Sequence, residues 1–356
     1  MFSTLFEYIL CAITAVTVLL QFYVIFLVQN KSPRTMHEYR YFLNMFTIWD
    51  ISFTVIMGFL FVPVPITPRV AATVRGFASY FGDVGARLTF AASMIAGSHV
   101  MLSQIHCLVY RFTSIQMDKK FHHMFMSLPS KTVLMVLNQL IALALGYGFY
   151  LTLMPVEEVK YRLANWTYDR STVRDGDVAI FLDVDSTYTR RYFIVLVVLF
   201  VVAEIACIIL IVLILRVLKR NSKLFSRVTL RLNLQFCRLL IIQMATPAIV
   251  ICGPVFCCII AIFAEVESNT LITEAALAMI TMYGPLNSIF TIFFVSPYRQ
   301  YTYKLFILPW LRPLLFGLGL QRLLTNKRIT MNKPSVTQTT VRPRHPITPT
   351  PPLYKH

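Results

Sequence analysis

The sequence predicts an all-α fold, a bundle of seven transmembrane helices with the N-terminus outside and the C-terminus in the cytoplasm. Three observations predict it: seven long apolar stretches, basic residues sorted by loop, and a composition that is 57% hydrophobic and only 14% charged. A bilayer core of roughly 30 Å needs about 20 apolar residues per helical span. Because backbone amides in lipid must be hydrogen-bonded internally, such stretches form spanning helices. The spans are expected at 6–28, 42–64, 86–110, 132–154, 191–218, 234–264 and 270–295.

The charges in the loops give the bundle an orientation. Basic residues gather in the loops 29–41, 111–131 and 216–231, and ten more follow residue 296. The opposite loops balance Lys and Arg with Asp and Glu. Because short loops rich in Lys and Arg stay in the cytoplasm, the N-terminus is expected outside. The formal net charge of +17 is spread over these loops and forms no single patch, so no nucleic-acid partner is expected.

Three regions follow from this pattern. Residues 1–300 are expected to form the transmembrane domain, whose first span lacks a basic leader and favours a retained anchor over a cleaved signal peptide. Residues 301–329 are apolar but broken by prolines, glycines and Arg312, which favours a short interfacial segment over an eighth span. Residues 330–356, rich in Pro and Thr, have little to bury and are expected to be a disordered cytoplasmic tail.

The sequence predicts neither an enzyme nor a bound cofactor or metal. It contains no phosphate-cradling glycine loop, no His-Glu-x-x-His and no Cys-x-x-Cys. All seven cysteines fall inside the spans, where Cys acts as a small packing residue, so no disulfide outside the membrane is expected. The candidates for function are therefore the polar side chains within the spans.

Ionisable side chains inside a span are expensive, so each is a functional hypothesis. Asp50 lies eight residues into the second span, and Glu204 lies near the middle of the fifth. His99 and Ser103 share one face of the third span by their i, i+4 spacing. Together with Arg87, the residues His99, Ser103 and Glu204 form the candidate ligand-binding set. The structural alternative is hydrogen bonding within the bundle for the two acids and a packing face for His99.

Arg87 is a candidate because it lies near the outer end of the third span, where its charge suits an anionic ligand. Asp83 stands four residues earlier on the same helix and offers an ion-pair partner instead. The sequence leaves both alternatives open.

Prolines interrupt the last two spans. Pro247 and Pro254 fall in the sixth span and Pro285 in the seventh. Each removes a backbone donor and allows a kink, which suits a hinge but is also common in static bundles. Together with Asp50 and Asn287 they make up the candidate switch, in which Asp50 stabilises one of two bundle packings through water or a cation.

Several short segments occur in an order that is typical of one family. The first loop and second span contain Lys31-Ser32-Pro33-Arg34-Thr35-Met36, Tyr39, Tyr41-Phe42-Leu43-Asn44 and Trp49-Asp50. The last two spans contain Leu239-Leu240-Ile241-Ile242-Gln243 and Tyr283-Gly284-Pro285-Leu286-Asn287, followed by Pro297-Tyr298-Arg299. In these segments the chain resembles the nematode serpentine chemoreceptors, most nearly class H (Srh) of the Str group.

The resemblance implies a seven-helix receptor in the plasma membrane of sensory neuron cilia that signals through a heterotrimeric G protein. It also implies a coupling role for Arg111 at the end of the third span. The acidic or Asn residue that usually precedes this Arg is replaced by Tyr110, so an ionic latch is not expected. The Asn-Pro-x-x-Tyr motif of rhodopsin-like receptors is absent, and Pro285-Leu286-Asn287 is a loose analogue of it.

A ligand-gated conformational switch is the first functional hypothesis. A small molecule binds between the helices from outside, the fifth and sixth helices move outward, and a basic cleft admits a G-protein segment. The residues expected to line that cleft are Arg111, Arg216, Lys219, Arg220 and Lys223, although the loop-charge rule alone accounts for most of them. The rivals are a transporter or channel with a polar site at the midplane, and a receptor-like protein that does not signal.

The acceptor sequence Asn165-Trp166-Thr167 tests the orientation, because it lies in the longest outside loop, 155–190. We expect a glycan at Asn165, so glycosidase digestion should shift the receptor band on a gel and Asn165→Gln should abolish that shift. An acceptor sequence introduced into the tail should stay unmodified. A glycan on the tail with none at Asn165 would reverse the orientation.

Overall fold

A computed structural model of the protein describes residues 2–32, 37–66, 70–116, 119–164, 177–221, 227–254 and 269–307, together with positions 257 and 309. Within these residues seven helices are long and apolar enough to cross a membrane, which confirms the expected seven-helix bundle. The described α-helices are, in chain order, α1 (Phe2–Lys31), α2 (His37–Val55), α3 (Gly82–Ile115), α4 (Lys120–Met126), α5 (Leu128–Tyr150), α6 (Val156–Ala164), α7 (Thr187–Arg220), α8 (Arg227–Pro247), α9 (Asn269–Thr281), α10 (Tyr283–Phe294) and α11 (Ser296–Thr302).

The seven spans are formed by α1, α2, α3, α5, α7 and α8, with α9 and α10 sharing the seventh. The third span is central, since α3 packs against α2, α5 and α7. In the most apolar 18-residue stretch of α7 only 6% is buried inside the bundle. Most of the apolar surface of α7 is therefore left for lipid. In lipid, apolar side chains face outward at no cost, and the bundle interior is free to hold the polar ones.

The two ends of the bundle differ. The basic end carries the short loops rich in Lys and Arg, and the sheet end carries a small β-sheet. The largest core cluster lies towards the basic end and draws on most of the spans, with Leu27, Leu43, Leu108, Ile214 and Phe236 all buried. This cluster fixes the helices around the polar side chains of the bundle interior.

The sheet was not expected from the sequence. It has three antiparallel strands, β1 (Pro63–Ile66), β2 (Ala71–Val74) and β3 (Val178–Phe181), in the order β1-β2-β3. The register pairs Val64 with Thr73 and Thr73 with Ala179. Each strand has four residues, too few to stand out by alternation, and the third comes from a different loop from the first two. The sheet covers the end of the bundle that holds the N-terminus of α1.

Helix irregularities mark the second, sixth and seventh spans. The second continues beyond α2 as a π-helix, Ile56–Phe61, and then turns into β1 at Val62, whose φ is 43°. The sixth continues beyond α8 as a π-helix, Ala248–Cys252, directly after Pro247. The seventh is divided at Met282, between α9 and α10. Such turns place side chains differently from a regular helix, and they are frequent near functional sites.

Chain packing divides the protein into a unit of Met1–Thr302 and a second unit of Tyr303–His356. In the second unit the structure describes a short π-helix, Tyr303–Ile307. The remainder of the expected interfacial segment, 301–329, lies outside the described residues apart from position 309, and so does the whole of the expected tail, 330–356.

Arg75 ties the sheet to the bundle. It follows β2 and forms ion pairs with Glu7 of α1, at 2.8 Å, and with Asp177 beside β3, at 3.0 Å. The Arg75 side chain is 7% exposed, and its two partners are 20% and 18% exposed. One buried guanidinium therefore joins the first span to both loops that build the sheet.

We expect Arg75→Gln to lower the free energy of unfolding by about 3 kcal/mol, because it leaves two poorly solvated carboxylates without their cation. The apparent melting temperature of the purified protein in detergent measures this. The control is Arg162→Gln, which breaks an exposed i, i+4 pair with Glu158 and should cost only about 0.5 kcal/mol. Equal effects of the two substitutions would contradict the role given to Arg75.

Candidate functional site

A chain of hydrogen-bonded polar side chains crosses the middle of the bundle. Asn287 of α10 donates from Nδ2 to Asp50 Oδ2 of α2 at 3.1 Å. Gln243 of α8 donates from Nε2 to Asn287 Oδ1 at 2.7 Å and to Thr291 Oγ1 at 3.3 Å. All four side chains are at most 3% exposed. This polar chain, Asp50–Asn287–Gln243–Thr291, joins the second, sixth and seventh spans.

The first span adds to the polar chain from its other side. Gln21 of α1 donates from Nε2 to Thr54 Oγ1 at 3.3 Å, and Thr54 donates to the backbone oxygen of Asp50 at 2.8 Å. Gly284 allows this approach, because a Cβ there would lie 2.7 Å from Thr17 Cγ2. Removing one partner of a buried hydrogen bond costs roughly 1–3 kcal/mol, so the network resists separation of these helices.

A second cluster holds Arg111 at the basic end of the third span. The Arg111 guanidinium carbon lies 3.7 Å from the ring centroid of Tyr39 on α2 and 4.0 Å from that of Phe236 on α8. Arg111 Nη1 also donates to Asn233 Oδ1 at 3.4 Å. Arg111 is 6% exposed and the two rings are 1% and 0% exposed. We call Arg111, Tyr39, Phe236 and Asn233 the Arg clamp.

Aromatic and polar neighbours hold the clamp in place. Tyr39 stacks on Tyr110 with centroids 5.6 Å apart, and Tyr110 Oη donates to Glu38 Oε2 at 3.4 Å. His122 of α4 lies 3.2 Å from the same carboxylate oxygen and 3.1 Å from Thr113 Oγ1. The short helix α4 is thereby attached to the clamp region.

Tyr298, in the Pro297-Tyr298-Arg299 segment just after the seventh span, is attached to the first loop. Tyr298 and Ser32 share a hydrogen bond of 2.6 Å between their hydroxyls, and Arg40 donates to the backbone oxygen of Ser32 at 2.7 Å. Burial raises the pKa of the Tyr298 phenol, although the Ser32 hydrogen bond and the Arg111 and Arg40 charges oppose this. The phenol therefore stays protonated and able to donate.

A mostly apolar crevice with several polar side chains opens between α2, α3 and α5. It has a volume of about 80 Å³ and is lined in part by Phe42, Trp49, His99, Ser103, Asn138 and Gln139. The rings of Trp49 and His99 are stacked, with centroids 3.9 Å apart and an interplanar angle of 8°. His99 Nε2 lies 3.1 Å from Gln139 Oε1, and His106 Nδ1 lies 3.4 Å from Asn138 Nδ2. We call this feature the α2–α3–α5 crevice.

One protein-family model covers most of the chain. The family model described as "Serpentine type 7TM GPCR chemoreceptor Srh" matches residues 3–308. The chain belongs to the Srh family of serpentine chemoreceptors. It is accordingly a multi-pass membrane protein of a receptor family, not of an enzyme family.

Solved structures support the same fold. The crystal structure of squid rhodopsin matches with a TM-score of 0.54 and 12% sequence identity, covering 86% of this chain and 85% of that one. At this identity the likeness concerns the fold alone. No curated protein matches the sequence.

The segments that carry the Srh resemblance meet in space. Asp50, Gln243 and Asn287 come from three of them and form the polar chain. Ser32 and Tyr298 come from two others and bond to each other. Segments that lie far apart in the sequence are therefore direct partners in the folded bundle.

The structure distributes the expected ligand-binding residues over different places. His99 and Ser103 share a face, as their spacing predicted, and line the α2–α3–α5 crevice. Glu204 of α7 is not among the residues that line it, and its Oε1 is buried without a hydrogen-bond partner among the described residues. Arg87 donates to the backbone oxygens of Leu153 and Met154 at 3.2 and 2.8 Å.

The pairing of Arg87 with Asp83, left open by the sequence, is not formed. Asp83 instead lies 3.4 Å from Lys160 of α6. The Arg87 guanidinium also lies 5.4 Å from the ring centroid of Tyr150. Arg87 thus attaches α3 to the end of α5 at the sheet end of the bundle.

The expected coupling residues also differ in environment. Arg111 is enclosed in the clamp, whereas Arg216, Lys219 and Arg220 are exposed on the last turns of α7. Lys223 lies outside the described residues, as does the glycosylation candidate Asn165.

The three prolines of the candidate switch lie at helix irregularities. Pro247 is buried at the end of α8, where the π-helix begins, and Pro254 is buried shortly after that π-helix. Pro285 is the third residue of α10, a first-turn position where the missing N–H costs no helical hydrogen bond. Asn287 follows it by two residues and reaches Asp50.

Sequence reasoning did not find the partners of the buried charges. Gln243 carries a weak signal, an amide within an apolar run. Tyr39, Phe236 and Asn233 carry none, since the chain contains 28 Phe and 17 Tyr and nothing local distinguishes a ring that holds an arginine.

We expect Asp50 and Asn287 to couple in a double-mutant cycle. Unfolding of Asp50→Ala, Asn287→Ala and the double variant should give a coupling of about 1–2 kcal/mol, because the second substitution removes a partner already lost. The control cycle pairs Asn287→Ala with Thr47→Ala. Thr47 is buried one turn before Asp50 but bonds its own helix at Leu43. A coupling below about 0.3 kcal/mol for Asp50 would refute the contact.

Proposed function

We propose that this Srh-family receptor binds a small molecule from outside the cell and activates a heterotrimeric G protein by rearranging its helices. The basic end of the bundle is assigned to the cytoplasm by its Lys- and Arg-rich loops. The observation that carries the proposal is that α8 is fastened to the rest of the bundle by both the Arg clamp and the polar chain.

The first fastening involves the charge of Arg111. A guanidinium in contact with two aromatic rings gains about 1–2 kcal/mol from each when it is shielded from water. Both rings are buried, and one of them, Phe236, belongs to α8. Outward movement of α8 removes this ring and the Asn233 contact together, which leaves Arg111 to seek another partner.

The second fastening is Gln243, which lies deeper along the same helix. Its amide nitrogen donates to both Asn287 and Thr291 of the seventh span. A buried amide left without acceptors is costly, so the packing of α8 against α10 has two discrete states rather than a continuous range. A ligand that favours one packing over the other shifts the population.

Movement of α8 would expose a basic surface. Arg216, Lys219 and Arg220 are already exposed on the neighbouring α7. Release of Arg111 adds a further cation at the end of the central helix. Such a surface suits a partner segment that carries carboxylates, including a chain terminus of a G protein. Display in the plasma membrane of sensory cilia belongs to the same proposal.

We expect Phe236→Leu to raise signalling in the absence of ligand. The substitution keeps an apolar side chain but removes the ring over Arg111, which should shift a two-state equilibrium roughly 5- to 30-fold towards the open packing. A G-protein reporter in cells with matched surface expression measures this. Tyr39→Leu removes the other ring that contacts the guanidinium and also the T-shaped contact of Tyr39 with Phe236 of α8, whose centroid lies 5.4 Å away, so it should act in the same direction.

The control is Phe293→Leu, because Phe293 is 57% exposed and lies 5.5 Å from the Arg299 guanidinium. This substitution should leave basal signalling unchanged. Unaltered or lowered basal signalling in both clamp variants would contradict the proposal. Ion current without any G protein would support a channel instead.

A further inference from the structure

We infer that the α2–α3–α5 crevice binds the polar head of a small uncharged amphiphile, such as a medium-chain alcohol or ketone, that arrives through the lipid. This deepens the proposed function by naming a ligand class and a second place of entry. The effect of the bound molecule on signalling rests on the proposed function, whereas its binding does not.

The crevice is reached from the side of the bundle. Two of its lining residues, Met135 of α5 and Tyr41 of α2, are 63% and 49% exposed. Met135 lies within the fourth span, so its exposed apolar surface faces acyl chains, whereas Tyr41 lies near the start of α2 at the basic end. The opening therefore lies towards the membrane interior, where apolar molecules concentrate.

The size of the crevice suits a head group rather than a whole ligand. A cavity of ~150 Å³ in another protein takes up benzene. The crevice, at about 80 Å³, has room for a hydroxyl, carbonyl or ester group with one or two attached carbons. An alkyl or aryl remainder then lies along the open side among the lipid chains.

The lining offers hydrogen-bonding groups at a depth where water is scarce. Gln139 lies eleven residues along α5 from Leu128, about 16 Å, roughly halfway through the bilayer core. Its oxygen is used by His99, which leaves the amide hydrogens for another acceptor. The Ser103 hydroxyl has no hydrogen-bond partner among the described residues. Polar groups in this setting gain from a ligand that satisfies them.

The lining also argues for an uncharged head. Lys131 is its one cationic residue with a permanent charge, and it lies near the start of α5 with its Nζ 5.8 Å from the ring centroid of Tyr41. A charge at the depth of Ser103 would be expensive without a counter-ion. An anionic lipid headgroup would pair with Lys131 at the membrane surface and would not reach Ser103.

Aromatic contacts connect the crevice to the Arg clamp. Phe42 and Phe125 line the crevice and stack with centroids 5.7 Å apart. Phe42 also lies 5.2 Å from Tyr110, which stacks on Tyr39 of the clamp. Packed rings cannot shift singly without opening voids, so a molecule seated against Phe42 acts on the group that encloses Arg111.

Photolabelling of the full-length receptor in bilayer nanodiscs tests the site with 3-azioctanol, an alcohol that carries a photoreactive diazirine. Mass spectrometry should locate saturable adducts on residues that line the crevice, and excess 1-octanol should compete with them. Ser103→Ala removes one hydrogen-bonding group and should raise the half-saturating concentration about fivefold. Ser98→Ala is the control, because Ser98 bonds Met94 on its own helix and does not line the crevice.

A second pair of variants tests the opening of the crevice without disturbing the core. Met135→Trp should abolish the saturable labelling by narrowing the opening, whereas Val136→Trp, at the next and 53% exposed position, should preserve it. Adducts spread evenly over lipid-facing residues, or equal labelling in the two Trp variants, would overturn the inference. Labelling needs no G protein, so its failure would leave the signalling proposal standing, and silent clamp variants would leave the crevice standing.

Discussion

The arginine at the end of the central helix must keep its charge inside a membrane bundle, and the packing of the basic end follows from this requirement. No carboxylate among the described residues pairs with Arg111, and the residue before it is Tyr110 rather than an acid. Two ring faces and an amide oxygen take that place. Because these groups come from the second and sixth spans, both spans must converge on the third.

The same arrangement explains why scattered family segments belong together. Tyr39 encloses the arginine, Asp50 begins the polar chain, and Tyr298 returns the end of the seventh span to the first loop. Each segment holds a side chain whose partner lies on another span. A family pattern of this kind therefore corresponds to pairwise contacts in the folded bundle.

Length and hydropathy are local properties, and they were sufficient to predict the seven spans and to single out Asp50. Spacing also placed His99 and Ser103 on one face, but the direction of that face depends on neighbouring helices, and it points to α2 and α5. The sheet was not predicted from the sequence, because its four-residue strands come from separate loops. The Arg clamp was not predicted either, because nothing in the sequence distinguishes its two rings among 28 Phe and 17 Tyr. Partners across spans are tertiary information that a single sequence does not display.

The unbroken helix between Asn233 and Gln243 has a mechanical consequence. The two residues are ten positions apart, about 15 Å along α8, and Pro247 with its π-helix comes only after them. Both fastenings therefore belong to one stiff segment, with the irregular turn beyond it as the compliant part. A rotation that strains one fastening is transmitted to the other, so they should fail together. The sixth span thereby acts as an all-or-none element whose threshold is set by the two fastenings acting in parallel.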